Sequence, residues 1–171
     1  MDSYLEYSEY IDWEDASIMV KAKELARGAD CLNDIAKKCF EFVRDEIQHS
    51  WDFQLNPVTC KASEVLHHGT GYCFAKSHLL AALLRANKIP AGLRYQRLSL
   101  DEQGAKFCLH GLNSIYLERF GWYTVDARGD KRGVNTAFCP PKERLAFSCT
   151  LDGEMNVSEI YSKPLDSVWM C

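Results

Sequence analysis

The segment CFAKSHLLAALLRA, residues 73–86, constrains this chain more than any other. Its apolar side chains fall on most faces of a 3.6-residue period rather than on one stripe, so as a helix it must be buried on most sides. A helix of that kind needs other layers packed around it. Upstream, Ala16 to Arg27 has helical spacing, with Ile18, Ala22 and Leu25 on one face and Gly28 as a stop. Leu32 to Ile47 is a stronger helix, its stripe formed by Ile35, Cys39, Phe42, Val43 and Ile47, with Asn33 or Asp34 as the expected cap. QHSWDFQLNP reads as a polar and aromatic loop, and Lys61 to Leu66 as a short helix capped by Ser63. Downstream of Asn87-Lys88-Ile89-Pro90 the character changes to strand. Ala91 to Leu98, Phe107 to Leu117 and Gly121 to Ala127 are rich in β-branched and aromatic residues, with turns DEQG and ERFG between them. Helices, a central helix and then an antiparallel sheet make an α+β domain rather than alternating βαβ units.

The ends are less patterned. The first 15 residues read as an edge strand or a docked arm. The segment after Pro140-Pro141 reads as irregular, with Ile160 to Trp169 a last strand or docking arm. At 171 residues, 47% hydrophobic, the chain suffices for one well-buried core and is short for two ordinary domains, so a single domain over 1–171 is expected.

Charge and cysteine usage exclude several classes of function. The net charge is -4 with both signs mixed and no basic stripe, which argues against a nucleic-acid partner. MDSYLEYSEYIDWED lacks the basic start and apolar run of a signal peptide, and no stretch approaches ~18 consecutive apolar residues. The expectation is a cytoplasmic protein with no membrane span. In that setting the eight cysteines are expected as free thiols. No CxxC pair is present, and Cys73, Cys108 and His110 are spaced unlike any usual zinc set, so neither a metal nor a cofactor is expected.

Among the cysteines, Cys73 stands apart. Gly69 and Gly71 in HHGTGYC mark a tight bend that delivers it to the start of the apolar helix. A helix N-terminus lowers a thiol pKa, and its backbone N–H groups donate to a developing oxyanion. A nucleophile also needs a base within reach. His110 lies in FCLHGLNSIYL, and the next strand, WYTVDARG, carries Asp126 inside an apolar-aromatic run, where a carboxylate is costly unless paired. In an unbulged hairpin these two positions share a face. Direct opposition requires a loop at Leu117-Glu118-Arg119. A loop at Arg119-Phe120-Gly121 would slide them roughly 13 Å apart along the strand.

ASEVLHHGTGYCFAKSHLLAALLRANKIPAGLRYQRL resembles the transglutaminase-like superfamily, with its Gly-x-Cys helix start, apolar helix and Ile-Pro-Ala turn into the sheet. HGLNSIYL and GWYTVDARG resemble the family's His and Asp strands in the family's order, and FVRDEIQHSWD its pre-catalytic helix and loop. The resemblance implies a papain-like α+β core over about 32–147, with Cys73 as nucleophile, His110 as base and Asp126 as orienting acid. It implies acyl chemistry on an amide-type carbonyl of a peptide, protein or small amide, without fixing the substrate. A non-catalytic binding or scaffolding domain on the same fold is the alternative. The side-chain oxyanion donor is expected from the loop before the nucleophile, where Gln48, His49 and Trp51 can each donate. Elsewhere, Lys76 is expected to snorkel to solvent, Arg128 to pair with Asp130, and Tyr95, Gln96 and Arg97 to rim the cleft.

Overall fold

The computed structural model describes residues 1–101 and 106–165. Most of the DEQG turn, the end of the expected last strand and Cys171 lie outside the described residues. Helices α1 (Ala16–Ala26) and α2 (Leu32–Glu46) come first. Asp15 caps α1 through its carboxylate, 2.8 Å from Ser17 N. Cys31 is the N-cap of α2 and makes no side-chain bond there, so neither Asn33 nor Asp34 serves as the cap. The loop expected next contains a two-residue strand, β1 (Gln48–His49), and a one-turn helix, α3 (Ser50–Phe53).

Helix α4 (Ala62–His68) begins after Lys61, not Ser63. Glu64 reaches back to accept from Lys61 N at 3.2 Å, while Ser63 bonds Asp12 through its N–H and hydroxyl. Gly69 ends α4 in the left-handed region (φ 65°), which a glycine enters without steric cost. Strand β2 (Thr70–Gly71) then pairs in parallel with β1, and α5 (Cys73–Ala86) comes next.

Helix α5 is buried from Ala75 to Arg85 and packs on α1, α2 and α4 on one side and the sheet on the other. The sheet joins β3 (Ala91–Ser99), β4 (Phe107–Leu117), β5 (Gly121–Val125) and β8 (Met155–Asn156) in the order β5-β4-β3-β8. A small hairpin joins β6 (Ala137–Cys139) to β7 (Lys142–Arg144), and β7 and β8 lie in the stretch after Pro140-Pro141 expected to be irregular. The N-terminal segment is a docked arm. Ile11 is fully buried, and the Tyr4 hydroxyl donates to Ile160 O at 3.0 Å.

The β4–β5 hairpin takes neither of the two expected registers. Leu117 pairs with Gly121, so the loop is Glu118-Arg119-Phe120. Phe120 N–H donates to Leu117 O at 2.9 Å and Gly121 has φ 73°, the turn-plus-left-handed arrangement typical of three-residue hairpin loops. With Asn113 opposite Val125, the next partner in register for Asp126 is Leu112, two residues along from His110. Diagonal neighbours on one face lie ~7–8 Å apart at the backbone, within reach of longer side chains.

Candidate active site

Helix, sheet and two loops converge on the Cys73 sulfur. No side chain caps the start of α5 at Tyr72, and the chain arrives there extended (φ -68°, ψ 168°). Strand β4 presses on this helix start at Gly111. A Cβ on Gly111 would lie 2.8 Å from Phe74 Cα, so only glycine permits the approach that brings Gly111 N to 3.5 Å from Cys73 Sγ.

His110 is buried beside it and hydrogen-bonds Cys73, while its Nε2 lies 2.8 Å from Asp126 Oδ2. With Nε2 engaged, Nδ1 is the ring atom left for the sulfur. Asp126 is fully buried, and its oxygens also accept from Arg128 N (3.1 Å) and Ala146 N (3.0 Å). Phe147 packs edge-to-face on the His110 ring at 5.1 Å. Cys73, His110 and Asp126, expected together from three separate segments, are thus in one contiguous chain of contacts.

The electrostatics derive from this geometry. Burial pushes the Cys73 thiol up, but hydrogen bonds from His110 and then His49, with the charge on His110, prevail and bring it down to about 6. Burial pushes His110 down, and Asp126 outweighs it, raising the imidazole to about 10. Asp126 is held below the usual carboxylate range: burial opposes this, and the His110 charge and hydrogen bond overcome it. Both shifts favour a thiolate beside an imidazolium.

Of the three residues expected as oxyanion donors, His49 reaches the sulfur. It is buried, hydrogen-bonds Cys73 and packs edge-on against Tyr72. Gln48 is exposed, and its backbone carries the pairing with Gly69 and Thr70. Trp51 is 65% exposed, on the outer side of α3. A cavity of about 240 Å³ borders His49, Asp52, Phe53, Lys76, Arg128 and Gly129. A larger one, about 550 Å³, lies at the opposite end of α5 beside Lys88, Ile89 and Pro90, away from the thiol.

Several neighbours differ from expectation. Lys76 does not snorkel. It is 1% exposed and donates to Ile47 O at the end of α2. Burial, then the nearby Arg128 charge, bring its amine down to about 7. Arg128 pairs with Asp52 rather than Asp130 (Nη1–Oδ2 2.8 Å, Nη2–Oδ1 3.0 Å), because Asp130 accepts from Thr136. Tyr95 and Gln96 are buried instead of rimming a cleft. Asp52 is the site residue that sequence reasoning misses. Its signal is the spacing His49-x-x-Asp52, which places the two on one side of a helical turn. Among the described residues Cys31, Cys39, Cys60, Cys73, Cys139 and Cys149 are free thiols, and no group of three His, Cys, Asp or Glu is arranged to hold a metal.

Known proteins share this architecture. The sequence model of the transglutaminase-like superfamily matches residues 21–127. A supposed cysteine protease from Cytophaga hutchinsonii superposes with TM-score 0.57 at 19% identity, over 73% of this chain and 40% of its own. The periplasmic domain of TgpA from Pseudomonas aeruginosa gives 0.54 at 18% (72% and 45%), and red sea bream transglutaminase 0.52 at 12% (74% and 32%). This chain therefore spans less than half the length of each. No curated protein sequence matches it.

Proposed function

This chain belongs to the transglutaminase-like superfamily, and we propose that within it Cys73, His110 and Asp126 form a catalytic triad for acyl chemistry on an amide. The observation that carries the reading is His110, bonded to the Cys73 sulfur on one side and to the buried Asp126 carboxylate on the other. The Cys73 thiolate attacks the carbonyl carbon. The carbonyl π pair moves to oxygen, and the Cys73 backbone N–H and His49 donate to it there. Collapse of the tetrahedral intermediate breaks the C–N bond as His110 gives its proton to the leaving amine. The thioester passes to water, giving an acid, or to an amine, giving a new amide; either way the sulfur returns as thiolate. Asp126 fixes the ring and stabilises its protonated form.

The substrate class is a peptide, protein or small amide. The free thiols suit a reducing, cytoplasmic setting, and no described helix is long and apolar enough to cross a membrane. The test is thiol-selective alkylation near pH ~7, where an ordinary thiol of pKa ~8.5 is mostly protonated. Cys73 is expected to label ahead of the exposed Cys31 and Cys139. Equal rates would remove the basis for the triad. Parallel assays of peptide hydrolysis and of amine incorporation into glutamine peptides then choose between water and amine.

A further inference from the structure

His49 repeats, on the other side of the sulfur, much of what His110 does. It bonds Cys73, and its Nδ1 lies 3.7 Å from Asp52 Oδ2, which leaves Nε2 for the sulfur. That Nδ1 is buried and has no hydrogen bond among the described residues. The distance is too long for a hydrogen bond and short enough for direct electrostatic attraction. Asp52 is itself fixed. Arg128 Nη2 donates to Oδ1 at 3.0 Å, its Nη1 lies 2.8 Å from Oδ2 in an ion pair, and Lys131 Nζ lies 2.9 Å from Oδ1. Arg128 also gives its backbone N–H to Asp126. The contacts close a ring: Cys73, His110, Asp126, Arg128, Asp52, His49 and back to Cys73.

We propose that His49 and Asp52 form a second imidazole–carboxylate pair serving the Cys73 sulfur, with Asp52 the positioning residue that aims the His49 ring. The inference rests on the reading of Cys73 as nucleophile and adds a carboxylate that acts only through His49. The Arg128 hydrogen bond and ion pair, with Lys131, restrain the Asp52 carboxylate, and Tyr72 packs edge-on against the ring, so His49 has little freedom except toward Asp52 or the sulfur. Contacts of this kind are loose in free enzymes and shorten when substrate fills the site.

Charged and titratable groups approach the sulfur and His49 from every packed element. Helix α5 brings Lys76, and β4 brings His110. The segment after β5 brings Asp126, Arg128 and Lys131. Tyr95 on β3 feels the Cys73 charge, and Arg44 and Asp45 of α2 border the cavity beside His49. A single substitution therefore does not isolate Asp52, whereas a pair of substitutions does.

The experiment tracks the Cys73 thiolate by its ultraviolet absorbance and by alkylation rate against pH, in the full chain. The comparison set is His49→Gln, Asp52→Asn, the double variant, Asp52→Glu and His110→Gln. Asp52→Asn is expected to raise the thiol midpoint by ~0.5–1 unit, and His49→Gln by ~1 unit, the scale on which a neighbouring charge acts. The double variant should match His49→Gln alone, because Asp52 then has nothing to aim. Asp52→Glu, which keeps the charge for Arg128, should return the midpoint most of the way to the wild-type value and serves if Asp52→Asn does not fold. An unmoved midpoint in Asp52→Asn, or in Asp52→Glu a midpoint as high as that of His49→Gln, overturns the proposal. So does an equal Asp52→Asn shift in the presence and absence of His49. His110→Gln separates the two readings. If it leaves the midpoint in place the triad itself fails, whereas if it moves the midpoint and Asp52→Asn does not, only the second pair fails.

Discussion

Lys76 and Arg85 lie on the same helix and are both withdrawn from water, at 1% and 0% exposure. Arg85, near the end of α5, donates to three carbonyls: Ala91 O (3.1 and 2.7 Å), Glu6 O (2.7 Å) and Ser162 O (2.8 Å). Burial brings it down to about 10, with Glu6 opposing, and it remains a cation at neutral pH. Lys76, one turn into the helix, donates to Ile47 O with the Arg128 charge nearby, and falls to about 7. A planar fork whose three nitrogens each meet a carbonyl keeps its charge in the interior, whereas a compact ammonium beside another cation is drawn toward its neutral form. The two ends of α5 divide labour accordingly. One binds the chain together, and the other holds groups whose protonation is poised near neutrality.

The largest expected effect breaks the Arg85 end. Arg85→Met leaves the buried Ala91 carbonyl and the part-buried Glu6 and Ser162 carbonyls without this donor and should lower the unfolding free energy by ~2–4 kcal/mol, at ~1–3 kcal/mol for each buried acceptor left unsatisfied. Urea unfolding measures this, and Cys73 alkylation in the folded protein should be unchanged. Next comes the reactive end. His110→Ala removes the main partner of the thiolate, so the alkylation rate at pH ~7 should fall ~10–30-fold as the midpoint moves from about 6 toward an ordinary thiol value.

Lys76→Met should be smaller, within ~1 kcal/mol of neutral, since removing the cost of burying the amine offsets the loss of its bond to Ile47 O. Its pH dependence is the sharper readout. A base whose folded pKa is depressed binds fewer protons folded than unfolded between about 7 and the ordinary lysine value of 10.5, so its contribution to stability rises across that window. The difference between wild-type and Lys76→Met stability curves should carry that slope. A flat difference would mean Lys76 stays charged, as Arg85 does. The smallest effect is Trp51→Ala on the exposed side of α3, within ±0.5 kcal/mol in stability and with no change in the thiol midpoint.

Periodicity and conspicuous energetic cost are the two signals the sequence carries legibly. The apolar spread of residues 73–86 places α5 at the centre, and a carboxylate in the strand WYTVDARG marks Asp126 as needing a partner. The register resists such reading, because a three-residue loop with Gly121 in the left-handed region sets the pairing between the two arrangements that parity alone suggests. Asp52 and Arg128 are out of reach for a different reason. Both lie in segments without periodicity, and their partnership spans 76 positions of sequence. Lys76 departs from its expected place because nothing local shows that the end of α2 will arrive over it with an open carbonyl.

The three carbonyls on Arg85 have a practical consequence for handling this protein. Glu6 and Ser162 are held by one guanidinium, and Tyr4 and Ile160 are joined beside them, so the segments around residues 4–6 and 160–162 sit on one patch. That patch is at the end of α5 away from Cys73, about 18 Å along the helix axis at ~1.5 Å per residue. A fluorophore or surface tether attached beside Glu6 or beside Ser162 would therefore share one anchoring point and leave the thiol unobstructed.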